Sequence, residues 1–175
     1  GMGAEVVILD KDLERVRFLN GFFGNAATVL VSSETTLFEE TSTADVLVGA
    51  VLVPGAVAPK IVTKEMVKEM KDGSIIIDVA IDQGGCVETI DHYTTHENPT
   101  YIVDGVIHYA VANMPGAVAR TSTIGLTNAT AKYANIIASL GYLEAMKVYP
   151  ELQKGLNTEN GKITYPGVQE AFPNL

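Results

Sequence analysis

The chain has 175 residues, of which 47% are hydrophobic and 19% charged, enough for one domain with a good core and a modest appendage. Its net charge of −9 argues against a nucleic-acid partner, because phosphate neutralisation needs a basic face. There is no apolar run long enough to span a bilayer, no basic-then-apolar leader and only one cysteine, so we expect a cytoplasmic protein that does not enter a membrane.

Apolar runs alternate with helical patterns in the first third of the sequence. Three of these runs predict strands, at residues 5–10, 28–31 and 44–51. The first strand is followed by a helical pattern that glycines close at residues 21–24, and the second by a short helix or turn at residues 36–43. Pro54-Gly55 breaks the third strand.

The middle of the chain opens with a capped helix and a buried strand. Thr63 is a good N-cap for a helix over residues 64–70, and Asp72-Gly73 predicts a turn. Residues 74–77 are a β-branched run without polar alternation, which is typical of a strand buried on both faces in a parallel sheet. Two further strands are expected on either side of Asp104-Gly105, a pair that suits a tight hairpin turn, at residues 100–103 and 106–111.

The last third of the sequence changes character. Helical patterns cover residues 121–140 and 142–156, the first ended by Gly141 and the second interrupted by Pro150, and a short tail follows at residues 161–175. The alternation upstream predicts an α/β fold, a parallel sheet with helices on both faces. We therefore divide the chain into a sheet domain, residues 1–120, and a helical segment, residues 121–175.

The polar stretch after the buried strand is the first candidate for chemistry. In an open α/β sheet, ligands bind at the carboxyl ends of the strands. Asp78 belongs to the strand end, whereas Asp82 lies four residues on, in a loop where it is free to face a ligand. The alternative is a turn that needs Gly84 and Gly85 for backbone reasons. The residues alone leave these two interpretations equally open.

Other polar residues suggest a dinucleotide. At the end of a first strand, a carboxylate such as Asp10 accepts the adenosine ribose hydroxyls and repels a 2′-phosphate, which favours NAD over NADP. Alternatively, Asp10 or Asp12 only favours the helix dipole. Asn113 and Asp82 would fall near a nicotinamide ring, where an amide can hold the ring carboxamide and a carboxylate can handle a proton.

Histidine and cysteine offer weaker candidates. His108 alternates within a β-branched run and fits a satisfied core histidine, while His92 and His96 sit in a polar loop and are expected to be solvated. Cys86 lacks an evident basic partner, so a nucleophilic role is disfavoured. No spacing of His, Cys and carboxylates indicates a metal site.

A glycine fingerprint is missing from the sequence. G-x-G-x-x-G should precede an acid like Asp10 by about 20 residues, yet only nine residues come before it. Gly1-Met2-Gly3 does not replace it, because it lies on the wrong side of that helix. We therefore expect the strand and loop that cradle the pyrophosphate to lie outside this sequence.

Several long motifs resemble the alanine dehydrogenase family, and together they cover essentially the whole chain. They are VLVPGA at residues 51–56, IDVAIDQGGC at 77–86, VANMPGAV at 111–118, RTST at 120–123, LTNAT at 126–130, GLN at 155–157 and GKITY at 161–165. The resemblance implies a Rossmann-like sheet that lacks its first strand and glycine-rich loop. The transhydrogenase alpha subunit and saccharopine-type dehydrogenases share this architecture.

The resemblance implies NAD-dependent oxidative deamination of L-alanine to pyruvate and ammonia. Carried over by position, Asp82 is the acid/base candidate, and the expected cofactor residues are Asp10, Arg15 and Ser32 near the adenosine half, Val51 and Leu52 in the cleft, Val79, Ala80, Ile81 and Asp82 beneath the nicotinamide, and Val111, Ala112, Asn113 and Met114 on the opposite wall. One position departs, since His92 stands where the family usually has an arginine.

The resemblance also implies that this sequence is the back half of such an enzyme. The substrate-binding half would supply the contacts to L-alanine and pyruvate, so the isolated chain is expected to bind NAD weakly and to be inactive. Helices after Thr121 would expose an apolar stripe that includes Ile124, Leu126, Ile136, Ile137 and Leu140, which predicts a homo-oligomer. Two alternatives remain, a non-enzymatic remnant or interaction module with this fold, and a transhydrogenase-like nucleotide-binding module.

Overall fold

The computed structural model describes residues 2–54 and 56–173. Each strand expected from the apolar runs is present, as β1 (Val7–Asp10), β2 (Thr28–Val31), β3 (Val46–Gly49), β4 (Ile75–Asp78), β5 (Thr100–Val103) and β6 (Val106–Tyr109). Three helices connect the first four strands, namely α1 (Leu13–Phe23), α2 (Glu34–Thr43) and α3 (Lys64–Lys68). Gly55 of the predicted break lies outside the described residues.

The strands form two sheet pieces. β1 pairs with β2 in parallel, and the second piece has the order β3-β4-β6-β5. β3, β4 and β6 are parallel, with Gly49 opposite Asp78 and Ile77 opposite Tyr109. β5 runs antiparallel to β6, because Asp104 and Gly105 both take positive φ in a two-residue turn. The α/β fold with helices on both sides is thus confirmed, with one antiparallel edge strand.

Local capping sets where the helices begin. Asp12 caps α1 by accepting from the backbone N–H groups of Glu14 and Arg15. Ser33 and Thr36 form a capping box, so α2 is a ten-residue helix that begins before the predicted position 36. The predicted cap Thr63 is confirmed for α3, but that helix ends two residues earlier than expected.

The chain after β6 is mostly helical. The elements there are a 3₁₀ turn (Met114–Val118), α4 (Ala119–Leu140), α5 (Tyr142–Val148), a second 3₁₀ turn (Pro150–Gly155), β7 (Thr158–Glu159), β8 (Lys162–Ile163) and α6 (Pro166–Ala171). The expected single helix over residues 142–156 therefore splits, because Pro150 cannot continue α5. The expected tail contains a small hairpin and a helix instead, while residues 174–175 lie outside the described part. No helix among the described residues is long and apolar enough to cross a membrane.

The core lies around the second sheet piece. Val67, Ile76, Val87 and Val106 are fully buried, and they come from α3, β4, the loop after β4, and β6. By contrast, α1 has no buried residue. β4 itself alternates between fully buried and half-buried positions, so the prediction of a strand fully buried on both faces was too strong. The carboxyl end of β4 is consequently held by the best-packed part of the chain.

His108 is a fully buried histidine on β6. Its Nδ1–H donates to the carbonyl of Val106 at 2.9 Å, and its Nε2 accepts from the hydroxyl of Thr89 at 2.7 Å. Both nitrogens are therefore satisfied in the neutral ring, and the prediction of a core histidine is confirmed. Burial lowers the pKa of His108 below its usual 6.5.

This burial predicts a pH dependence of stability. In the unfolded state His108 is protonated as the pH falls through about 6.5, whereas in the folded state it is protonated only at lower pH. The free energy of unfolding is therefore highest above pH 6.5 and decreases as the pH falls below it. One proton corresponds to a slope of about 1.4 kcal/mol per pH unit. Urea unfolding between pH 5 and 7.5 tests this. His108→Gln should flatten the slope, while His92→Asn, at an exposed histidine, should retain it; an unchanged slope in His108→Gln would contradict the prediction.

Candidate functional site

Two loops at the carboxyl edge of the parallel strands enclose a cleft. Residues 50–52 follow β3, and the 3₁₀ turn Val79–Gln83 follows β4. The cleft has a volume of about 130 Å³ and is lined by Ala50, Val51, Leu52, Val79, Ala80, Asp82 and Gln83. The structure thus brings together five of the residues singled out from the sequence, while Ile81 packs against the core instead.

The cleft is small for a whole cofactor. Ligand pockets usually have roughly 300–1,000 Å³, so these two walls leave room for one ring. A larger depression of about 330 Å³ lies at the bend between α4 and α5, and it shares no lining residue with the cleft. Its one charged lining residue, Glu144, forms an exposed ion pair with Lys147 at 3.0 Å.

Asp78 is a fully buried carboxylate at the end of β4. Its Oδ1 accepts from the backbone N–H of Ala80 at 3.0 Å, and its Oδ2 accepts from Cys86 at 2.7 Å and Val87 at 3.3 Å. A buried carboxylate needs such donors to offset the cost of leaving water. Asp78 therefore fixes the loop from both ends and does not face the cleft.

Asp82 has the opposite environment. It is exposed within the 3₁₀ turn and lines the cleft, and its carboxylate accepts no side-chain hydrogen bond from the described part of the chain. The sequence predicted a loop here, whereas Asp78 caps a helical turn by accepting from Ala80. Gly84 and Gly85 have positive φ, as the backbone interpretation requires. Asp82 is exposed at the cleft, and its role toward a ligand stays a prediction.

The segment after β6 lies at the same edge of the sheet, outside the lining of the cleft. Thr94 joins it through a parallel bridge to Val111, which is buried. Asn113 is exposed, and its backbone carbonyl lies 2.7 Å from His96 Nε2. His96 is exposed, as predicted, and its ring also contacts the segment that carries Asn113. The roles predicted for Val111, Ala112, Asn113 and Met114 stay predictions.

The residues predicted for an adenosine half belong to the first sheet piece. The N–H of Ser32 donates to the carbonyl of Asp10 at 2.9 Å, which places the two strand ends side by side. Asp10 Oδ1 accepts from the N–H of Asp12, and Asp12 rather than Asp10 caps α1. Arg15 stacks over the ring of Phe18 at 5.4 Å. None of these residues lines the cleft, so their cofactor role stays a prediction.

Cys86 is inert by its environment. The thiol is fully buried, and its sulfur lies 3.6 Å from Asp78 Oδ1. Burial and the nearby carboxylate raise its pKa to about 11, so at neutral pH the reactive thiolate is scarce. This confirms that Cys86 is a poor nucleophile. Among the described residues, no group of three or more His, Cys, Asp or Glu side chains is placed to hold a metal ion.

Lys60 is a contributor that sequence reasoning missed. Its ammonium reaches across from the segment after β3 to carbonyl oxygens in the loop after β4, including Gly84 at 2.7 Å. The partners are 24 to 30 residues away along the chain. No local pattern could have indicated this contact, because it exists only once β3 and β4 are paired.

The strand order, the cleft at the strand ends and the acids beside it define a Rossmann-like α/β domain. A model of the family "Alanine dehydrogenase/PNT, C-terminal domain" matches residues 1–166, and the chain belongs to this family. It is 58% identical over 171 residues to an alanine dehydrogenase of Methanococcus maripaludis, covering 98% of this chain and 46% of that protein. The alanine dehydrogenase of Bacillus subtilis is 55% identical over 168 residues, with coverages of 96% and 44%.

Solved structures agree with this membership. An L-alanine dehydrogenase structure matches with a TM-score of 0.83 at 46% identity, over 98% of this chain and 47% of that one. A transhydrogenase structure from Sinorhizobium meliloti matches with a TM-score of 0.62 at 22% identity, over 94% and 43% of the two chains, and supports the fold alone. The chain spans about half the length of the relatives it matches.

Proposed function

We propose that this chain is the dinucleotide-binding part of an NAD-dependent alanine dehydrogenase, which converts L-alanine to pyruvate and ammonia. The observation that carries the proposal is the 58% identity to an alanine dehydrogenase over 98% of the chain. The matched family model also covers PNT, the transhydrogenase alternative, but the transhydrogenase structure is only 22% identical to this chain. We also propose a cytoplasmic location, supported by the lone, unpaired Cys86.

The residues of the chain fit the proposed cofactor. The cleft at the ends of β3 and β4 has the size of one ring and two apolar walls, as a nicotinamide needs. Asp10 ends β1 with one carboxylate oxygen held by the N–H of Asp12, which leaves the other oxygen to accept from a ribose hydroxyl. NAD would supply the acceptor for the hydride that leaves the substrate carbon.

The chain itself contributes orientation and charge. Val51 and Leu52 would cover one face of the ring, and Val79 and Ala80 the other. Asp82 presents a carboxylate at the open side of the cleft. There it can stabilise the positive charge that develops on the substrate as the hydride leaves, or accept a proton from the water that releases ammonia.

An activity assay tests this function. The full-length protein that contains residues 1–175 should form NADH from L-alanine and NAD, and pyruvate, ammonia and NADH should support the reverse reaction. The isolated segment 1–175 should not turn over alanine, because it contains no G-x-G-x-x-G motif to bind the pyrophosphate. No alanine-dependent NADH formation by the full-length protein, or clear turnover by the isolated segment, would contradict the proposal.

We also propose that the protein is a homo-oligomer, with a second copy against α4. Support comes from the exposure of Leu126, Ile137 and Leu140, which share one face of α4. Two of the expected stripe residues do not belong: Ile136 is half-buried, and Ile124 lies about 200° around the helix from Leu126.

A charge placed on this face should weaken the assembly. Size-exclusion chromatography with light scattering is expected to give a dimer or larger mass, and Leu126→Glu should lower it. Asn135→Glu is the matched control, because Asn135 is exposed on the opposite side of the same helix. A monomeric parent protein, or an equal effect of both variants, would contradict this proposal.

A further inference from the structure

The ammonium group of Lys60 donates hydrogen bonds to three backbone carbonyls. Its Nζ donates to Gly84 at 2.7 Å, Val87 at 3.1 Å and Ile90 at 3.4 Å. An ammonium has three N–H donors, so all three are used. No carboxylate of the described residues forms an ion pair with it. Lys60 is exposed, yet its ammonium is held against the backbone of another segment, so we read it as a structural tie.

Asp78 binds the same stretch of backbone that Lys60 contacts, from the other side. The carboxylate of Asp78 accepts from the N–H groups of Cys86 and Val87. Gly85 lies between the two charges, since a methyl group added there would sit 2.8 Å from Asp78 Oδ2 and 3.5 Å from Lys60 Nζ. The carboxylate of Asp78 thus accepts hydrogen bonds from the N–H groups of this segment, while the ammonium of Lys60 donates to its carbonyls.

The contacts of Lys60 and Asp78 together connect the two walls of the cleft. Lys60 belongs to the segment that continues from residues 50–52, whereas its carbonyl partners continue from the turn Val79–Gln83. Four backbone hydrogen bonds run beside it. The N–H of Ala58 donates to Gln83 at 2.8 Å, the N–H groups of Ile61 and Val62 donate to Cys86 at 2.9 and 3.1 Å, and the N–H of Glu88 donates to Val62 at 2.9 Å. The separation of the walls is therefore set by the same contacts that Lys60 completes.

We propose that Lys60 is a positioning residue that sets the width of the cleft and thereby the affinity for the nicotinamide end of the dinucleotide. This inference rests on the proposed function, because it takes the ligand of the cleft to be that ring. Lys60 itself does not line the cleft, so it acts through the turn Val79–Gln83.

The test measures the affinity for two ligands and the reactivity of one thiol. Full-length protein carrying Lys60→Met is titrated with NADH, followed by nicotinamide fluorescence, and with ADP-ribose, which lacks the nicotinamide ring. The alkylation rate of the buried Cys86 reports how often the loop after β4, which Lys60 contacts, opens. Lys71→Met is the matched control, because Lys71 pairs at 3.2 Å with Asp45 near the amino ends of β3 and β4, away from the cleft.

Lys60→Met should raise the dissociation constant of NADH about tenfold, equivalent to about 1.4 kcal/mol. Its ADP-ribose affinity should stay within about twofold of the parent, and Cys86 should be alkylated faster, while Lys71→Met changes none of these. A merely structural role would weaken both ligands equally, and that result would overturn the proposal. Unchanged NADH binding would also overturn it, whatever the alkylation rate of Cys86.

The thiol separates this inference from the proposed function. If the parent protein bound no NADH, the proposed function would fail, but the alkylation of Cys86 would still test whether Lys60 holds the loop after β4. Faster alkylation in Lys60→Met would support that role, and an unchanged rate would overturn it. Should Lys60→Met not fold, Lys60→Arg is measured by the same criteria, because a planar guanidinium keeps the charge but cannot reproduce three donors on one nitrogen.

Discussion

Asp82→Asn is expected to lower the turnover of L-alanine by the full-length protein about 10²–10⁴-fold, with little change in stability. The amide has the same shape but carries no charge and cannot take up a proton, so the loss falls on the chemical step. Because Asp82 is exposed and its carboxylate forms no hydrogen bond within the described residues, the free energy of unfolding should stay within about 0.5 kcal/mol of the parent.

Steady-state kinetics and urea unfolding of the same preparations check this prediction. Asp104→Asn is a suitable control, since Asp104 lies in the β5–β6 turn at the other end of β6, and its positive φ suits asparagine. The control should retain full activity. A kcat for Asp82→Asn above about one tenth of the parent value would remove Asp82 from the chemical step and leave it a surface residue of the 3₁₀ turn.

Asp78→Asn, the same substitution four residues earlier, should have the opposite outcome. We expect the free energy of unfolding to fall by about 3 kcal/mol or more. The carboxylate accepts three backbone N–H groups through two oxygens, whereas an amide offers one oxygen and turns an NH₂ group toward the remaining donors. The site is fully buried, so water cannot make up the loss.

The comparison of the two asparagine variants is the measurement that matters for Asp78. Urea unfolding should rank Asp78→Asn far below Asp82→Asn, and Cys86 should become accessible to alkylation in Asp78→Asn because its N–H loses its acceptor. If the two variants were equally stable, the assignment of Asp78 as the anchor of the loop would be wrong. Residual activity of Asp78→Asn is expected to be low for a different reason than in Asp82→Asn, namely misplacement of the turn.

Much of the fold was accessible from the sequence, because it depends on neighbours along the chain. Apolar runs marked the strands, Thr63 marked a helix start, and Asp104-Gly105 marked the hairpin, since each acts on its own backbone. The capping box at Ser33 and the hairpin of β7 and β8 are also local, but they were not predicted from the sequence. The hairpin gives no pattern because two-residue strands carry no alternation.

The candidate site divides in the same way. The sequence by itself determined that acids and glycines follow β4, and the family resemblance predicted a cofactor role for the five residues that the structure brings together in one cleft. The sequence placed Asp78 at the end of a buried strand, but only the tertiary structure shows what buries and holds its carboxylate, because that depends on β3, β6 and a loop that folds back eight residues later. It alone revealed Lys60, whose partners lie 24 to 30 residues away. Periodicity reports which face a residue takes on its own element, whereas these contacts arise where separate elements meet.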